Sequence, residues 1–226
     1  LVDFDGKGRL DLLSGSNRHD AAGFHLFRRN DDGTWAPRKR LQVKYAGKYP
    51  DAMFIMHHES FVTAVDWNGD GVPDLLCVAP QGEGILVALR PFKESEPIAL
   101  SHKIEFTPQG HVWDFAVADW DRDGKPDLLV RQSLPDRHGK RGMGIYWYKN
   151  LGGTGLPKLA EGKLLVGEKE LVGEKSSDFR VTGFCLCDWN GDEWPDLIVT
   201  RDEPTRTNPE GRPLAWRGTA LLYLRE

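Results

Sequence analysis

The stretch Val65-Asp66-Trp67-Asn68-Gly69-Asp70-Gly71-Val72-Pro73-Asp74-Leu75-Leu76 decides how this chain is read, because versions of it stand at three other places. They are Val2-Asp3-Phe4-Asp5-Gly6-Lys7-Gly8-Arg9-Leu10-Asp11-Leu12-Leu13, Ala118-Asp119-Trp120-Asp121-Arg122-Asp123-Gly124-Lys125-Pro126-Asp127-Leu128-Leu129 and Cys187-Asp188-Trp189-Asn190-Gly191-Asp192-Glu193-Trp194-Pro195-Asp196-Leu197-Ile198. Counted from the first Asp, every copy has an acid or amide at positions 1, 3 and 9. The first Asp falls at 3, 66, 119 and 188, so the unit is a whole supersecondary element with loops of variable length.

Oxygen donors on alternate residues of a tight loop, with Gly where the backbone turns sharply, suit a hard cation such as calcium. That ion takes roughly 6 to 8 oxygens at about 2.3–2.6 Å. In the second loop Asp66, Asn68, Asp70 and Asp74 offer side-chain oxygens and Val72 its carbonyl. The third offers Asp119, Asp121, Asp123, Asp127 and the carbonyl of Lys125, and these two loops are expected to be the best calcium sites. The fourth has Asp188, Asn190, Asp192, Asp196 and the carbonyl of Trp194, but Glu193 replaces a Gly, which predicts a strained positive-φ turn and weaker binding. The first has Asp3, Asp5 and Asp11, with Lys7 at position 5, where an ammonium could neutralise the site from within. A single D-x-N-x-D-G is also an ordinary turn that needs no ion. Four copies, one of which crowds four carboxylates together, favour the cation. Thirteen of the 34 acidic residues sit at these positions, so three calcium ions would move the formal net charge from −4 to +2.

An EF-hand would place helices on both sides of such a loop, whereas these flanks read as strands. Upstream stand residues 61–65, 113–118 and 179–187, short and rich in β-branched and aromatic residues. Downstream, after Pro73, Pro126 and Pro195, come apolar bursts at 75–78, 128–130 and 197–199. A third strand is predicted at 23–27, 84–89, 144–148 and 219–224, and a weaker fourth at 40–43, 103–106 and 163–166. Four antiparallel strands per unit make a propeller blade, and the expected fold is an all-β propeller with units at 1–57, 58–110, 111–175 and 176–226.

The order strand, D-x-[DN]-x-D-G-x-P-D-L-[LI], strand, Gly-containing loop and strand resembles the FG-GAP/VCBS repeat family, which includes the integrin α-subunit propeller and many secreted bacterial proteins. Residues 74–80, Asp-Leu-Leu-Cys-Val-Ala-Pro, are similar to the family's D-L-x-V-G-A-P segment, and Gly183-Phe184 falls near its F-G position in reversed order. The resemblance implies calcium in the loop joining the first two strands of each blade, at one rim. It also implies about seven blades. Only about four units are present, the first without its leading strand, so the chain is expected to be part of a longer one that completes the ring.

Composition agrees with a β-rich chain: 39% hydrophobic and 28% charged, with 25 Gly and 14 Pro that leave little room for long helices. No apolar run is long enough to span a bilayer, and neither membrane insertion nor nucleic-acid binding is expected. The three cysteines give no even framework; Cys77, Cys185 and Cys187 read as small buried hydrophobes. Calcium loops of modest affinity favour an extracellular, secreted or periplasmic setting. Phe4, Trp67, Trp120 and Trp189 share position 2, which predicts packing between blades.

The segments between second and third strands should emerge opposite the metal loops, and they vary most. Residues 133–141 and 201–217 are the long ones and are expected as loops. They and their surroundings carry Arg131, Arg137, His138, Arg141, Arg201, Arg206, Trp216 and Arg217, with His111 and Trp113 brought near by the entering linker. Such a basic, aromatic surface suits a protein or acidic-carbohydrate partner. The rival expectation is a polysaccharide lyase in which His111, His138 or Tyr45 moves a sugar proton while Arg137 or calcium steadies a carboxylate.

Overall fold

A computed structural model describes residues 1–15, 24–45, 61–79, 82–134, 142–167, 180–210 and 213–225, and every regular element among them is a strand. The first unit contains β1 (Leu12–Gly15), β2 (Phe24–Phe27) and β3 (Lys39–Leu41), paired in that order, followed by β4 (Val43–Tyr45). The second is built of β5 (Val62–Val65), β6 (Asp74–Val78), β7 (Ile85–Ala88), β8 (Ile98–Leu100) and β9 (His102–Lys103). Its four-stranded sheet runs β5-β6-β7-β9, while β8 pairs in parallel with β4 of the unit before. The third is β10 (Val112–Ala118), β11 (Asp127–Leu134), β12 (Gly142–Tyr148) and β13 (Lys163–Val166), a four-stranded meander. The fourth is β14 (Arg180–Cys187), β15 (Asp196–Thr207) and β16 (Pro213–Tyr223). Successive antiparallel sheets of this kind are consistent with propeller blades.

The second and third sheets are apolar on both faces and the first presents one apolar face to the second, so stacking buries one cluster per seam. Phe4, Leu13, Phe24 and Leu26 meet Leu75, Cys77 and Leu86 between the first two sheets. Trp67, Leu76, Val78 and Val87 meet Val112, Phe115, Leu128 and Tyr148 in the second seam. Trp120, Leu129 and Ile145 meet Val181, Leu197 and Val199 in the third. A fully buried side chain of this size contributes about 1.5–3 kcal/mol, so the seams dominate the stability.

Four expectations need correction. Trp189 shares its loop position with Phe4, Trp67 and Trp120, which are buried, yet it is 64% exposed. Among the described residues no further sheet lies against that face, and Cys185 and Leu222 of the same sheet are exposed too, so Cys185 is not a buried hydrophobe. Residues 201–207 and 213–217 are strand, not loop: β15 and β16 continue in register from Leu197↔Tyr223 to Thr207↔Pro213. Pro204, which suggests a break in the sequence, is absorbed at an irregularity between Pro204 and Arg206, where one residue falls out of the ladder. Arg131 is not on a binding surface. It is buried, with Nε 2.9 Å from both Asp114 oxygens and Nη1 2.6 Å from the Val181 carbonyl, tying the third sheet to the fourth.

Burial at one position and exposure at its equivalent give a direct comparison. Trp67→Ala should cost about 3–5 kcal/mol through the cavity it leaves, and Trp189→Ala about 1 kcal/mol or less. Urea unfolding of the two variants measures both.

Candidate metal centres

Each loop is folded by its own carboxylates. Asp66 accepts hydrogen bonds from the amides of Gly69, Asp70 and Gly71 at 2.8–3.0 Å, and Asp188 accepts three from the same positions of the fourth loop at 2.7–3.1 Å. Asp119 and Asp3 each accept two. Position 5 then caps position 7: the amides of Val72, Lys125 and Trp194 donate to Asp70, Asp123 and Asp192.

Curling the chain around one carboxylate drives positions 4 and 6 into the left-handed region. At position 6 the φ values are 78, 86, 85 and 67° for Gly8, Gly71, Gly124 and Glu193, so the strain expected at Glu193 is present. Position 4 repeats it, with Arg122 at 60° where the other loops have Gly. The two non-glycine residues in this conformation, Arg122 and Glu193, form a 3.0 Å ion pair across neighbouring loops, exposed enough to contribute little.

Position 9 has a second task. Asp11, Asp74, Asp127 and Asp196 are completely buried. In the last three, one oxygen accepts the position-2 amide of Trp67, Trp120 or Trp189 at 2.8–3.2 Å. In all four the other accepts an amide just past the third strand, from Arg29, Arg90, Asn150 or Arg225, at 2.7–3.0 Å. The carboxylate therefore staples loop start to strand end. Burial pushes Asp74 and Asp127 above the ordinary carboxylate range, whereas the Arg225 amide holds Asp196 below it.

The remaining charges divide the loops into two kinds. In the first, Lys7 Nζ lies 3.1 Å from Asp5 and Arg28 Nη1 lies 2.5 Å from Asp11 and 3.3 Å from Asp5. Burial works to raise Asp5, and these cations outweigh it, leaving its carboxyl low. In the third, Lys149 pairs with Asp121 and lies 3.0 Å from Asp123, and Lys125 lies 3.1 Å from Asp123. Asp123 is held down to about 2, first by Lys149 and then by Lys125. In the second and fourth loops the position-3 residue is an amide, Asn68 or Asn190, which donates to Asp70 at 2.9 Å or Asp192 at 2.8 Å.

These donor sets fit a hard cation. Oxygens of Asp119, Asp121 and Asp127 all lie within 4.8 Å of one another and could hold a metal ion. Asp121 Oδ1 and Asp5 Oδ1 are buried with no hydrogen-bond donor on them. The cations Arg28 and Lys149 escape a reading of the loops alone, because they come from the end of the third strand.

Of the residues expected on the opposite face, Arg137, His138 and Arg141 lie outside the described residues, as does the side chain of Tyr45. His111 packs its ring 4.5 Å from that of Trp113, whose indole N–H donates to Ser133 Oγ at 3.0 Å. Arg201, Arg206 and Trp216 lie on the β15–β16 ribbon of the next sheet, with Trp216 opposite Pro204. Arg217 lies opposite Glu203, 3.5 Å from its carboxylate.

The sequence profile of a family described as FG-GAP-like repeat matches residues 3–77 and again 66–130, together more than half of the chain. Each match starts at position 1 of one loop and ends three residues past position 9 of the next. No curated protein and no solved structure matches.

A depressed carboxyl stabilises the fold above its unfolded value, here near 3.8, and that contribution disappears as the pH falls toward the folded value. In calcium-free protein the Asp123 carboxyl should therefore titrate near pH 2. Lys149→Leu should move its midpoint up toward 3.8, as followed by the side-chain carbonyl shift in NMR.

Proposed function

Because this chain belongs to the FG-GAP-like repeat family, we propose that it is a calcium-stabilised extracellular β-propeller module. It binds a protein or acidic-carbohydrate partner with the sheet ends opposite its metal loops. The observation that carries this reading is the β15–β16 ribbon. Its strands run 12 and 11 residues, against eight at most elsewhere, and its far end carries Arg206 and the 37% exposed Trp216. Arginine forks beside an aromatic face are suited to carboxylate-bearing sugars or acidic protein surfaces.

Calcium is structural in this reading. It neutralises loop carboxylates, two of which burial pushes toward the neutral form, and so stabilises the folded state by mass action. Weak oxygen-rich loops are filled where calcium is abundant, which supports the exterior. No helix among the described residues is long and apolar enough to cross a membrane. The exposed Trp189, at a position buried in the other three units, supports a further sheet of a larger, about seven-bladed ring on that face.

Two measurements test the reading. Thermal unfolding should shift upward by several degrees between excess chelator and millimolar calcium, with two or three calcium ions bound per chain; no shift and no bound metal would remove the calcium half. Titration with polygalacturonate or an acidic peptide should show binding that falls about tenfold in Arg206→Ala/Trp216→Ala. Equal binding by both proteins would move the partner site elsewhere, and unsaturated sugar product would replace the module by a lyase.

A further inference from the structure

The registers of the four sheets place one residue of the third strand directly across from each position-9 aspartate. Leu12 pairs with Phe27, Leu75 with Ala88, Leu128 with Tyr148 and Leu197 with Tyr223. One step further, Asp11 faces Arg28, Asp74 faces Leu89, Asp127 faces Lys149 and Asp196 faces Leu224. From this position Arg28 and Lys149 reach the loop carboxylates, whereas Leu89 packs against the second-seam cluster and Leu224 is exposed. It is basic in the first and third loops and leucine in the second and fourth. Position 3 changes with it, from Asp5 and Asp121 beside the cations to Asn68 and Asn190 beside the leucines. An extra loop carboxylate and an extra cation thus appear together or not at all.

The geometry points to Arg28 and Lys149 as resident counter-cations that occupy the metal position of the first and third loops, so that calcium enters the third only by displacing Lys149. Among the described residues no cation pairs with the aspartates of the second and fourth loops in this way.

The two cations are held differently. Arg28 contacts Asp5 and Asp11 of the loop and also Glu94 of the second unit, at 2.5 Å, while Glu94 is itself bound by Lys39 at 2.8 Å. Removing Arg28 from the loop would leave Glu94 with one partner fewer, and Lys7 would remain on Asp5. The first loop is therefore closed to calcium. Lys149 has its ion-pair contacts with the loop carboxylates Asp121 and Asp123 alone among the described residues, on a flexible stem that can swing out. A tethered ammonium competes at a high effective concentration, so it weakens an entering ion without excluding it. The unpartnered Asp121 Oδ1 shows that one ammonium leaves the site incompletely satisfied, as a divalent ion would not. The order of calcium affinity becomes second and fourth loops, then third, with the first empty.

The calcium part of this inference rests on the reading above, and the resident-cation part does not, so the test has two arms. Lys149→Leu installs the residue that the second and fourth loops already use. In excess chelator it should lower the melting temperature by about 3 °C or more, because Asp121 and Asp123 lose the cation they share. In a calcium titration it should tighten the third site by about tenfold, and Leu89→Lys should weaken the second by a similar factor. An unchanged melting temperature in chelator overturns the resident-cation assignment, whether or not the wild-type chain binds calcium. If wild type binds calcium and neither variant alters its affinities, the competition is overturned. If wild type binds none while Lys149→Leu still lowers the melting temperature, the resident cation stands and the calcium reading falls.

Discussion

A carboxylate buried in a β-rich core is costly unless donors meet its oxygens, and position 9 of each loop is such a carboxylate. In the second, third and fourth loops two backbone amides meet it, one from position 2 and one from the residue past the third strand. Charge-assisted bonds of this kind are about twice as strong as neutral ones, and here they join three points far apart along the chain. The start of the loop, the start of the second strand and the end of the third become one rigid corner. The amide at position 2 belongs to the aromatic residue that enters the neighbouring seam, so the same corner aims Trp67 and Trp120 into the core. Loop chemistry and core packing are in this way a single mechanical unit.

Trp189 separates the two halves of that unit. Its amide keeps the 2.8 Å bond to Asp196, and the fourth loop keeps the hydrogen bonds to Asp188, although its indole stands exposed. The corner therefore forms without a neighbouring sheet. Burial of the aromatic follows from the neighbour and not from the loop. The Arg131–Asp114 pair shows the other way the sheets are joined, by a buried charge whose remaining donor reaches Val181 of the next unit.

Much of this was readable in the residues. The alternation of carboxylates fixes the loops, and their proline and apolar neighbours fix the strands that follow. What escaped reading did so for identifiable reasons. The left-handed bend at position 4 is disguised in the third loop by Arg122, since a glycine signature is visible only when glycine is used. The β15–β16 ribbon is disguised by Pro204 and Pro213, residues that normally mark loops but here lie in the ladder beside register irregularities. Arg131 looked like its basic neighbours because a sequence does not say which acid lies across the sheet. Arg28 and Lys149 were equally visible as letters. Only the register that sets Phe27, Ala88, Tyr148 and Tyr223 at equivalent places reveals that Arg28, Leu89, Lys149 and Leu224 are one position used in two ways.

Under the proposed calcium reading, that alternation would decide how the seams respond to the ion. Each seam lies between a loop of one kind and a loop of the other: first with second, second with third, third with fourth. If calcium fills the loops as proposed, removing it would leave every seam with one corner still neutralised by a side chain and one corner with excess negative charge. Four metal-dependent loops would release their carboxylate repulsion everywhere at once. Alternating loops confine it to one corner per seam, where the buried staple at position 9 and the apolar cluster behind it must hold alone. On the proposed calcium reading the sheet order would then survive metal loss, and the calcium-dependent part of the stability would reside mainly in the second and fourth loops rather than in the fold as a whole.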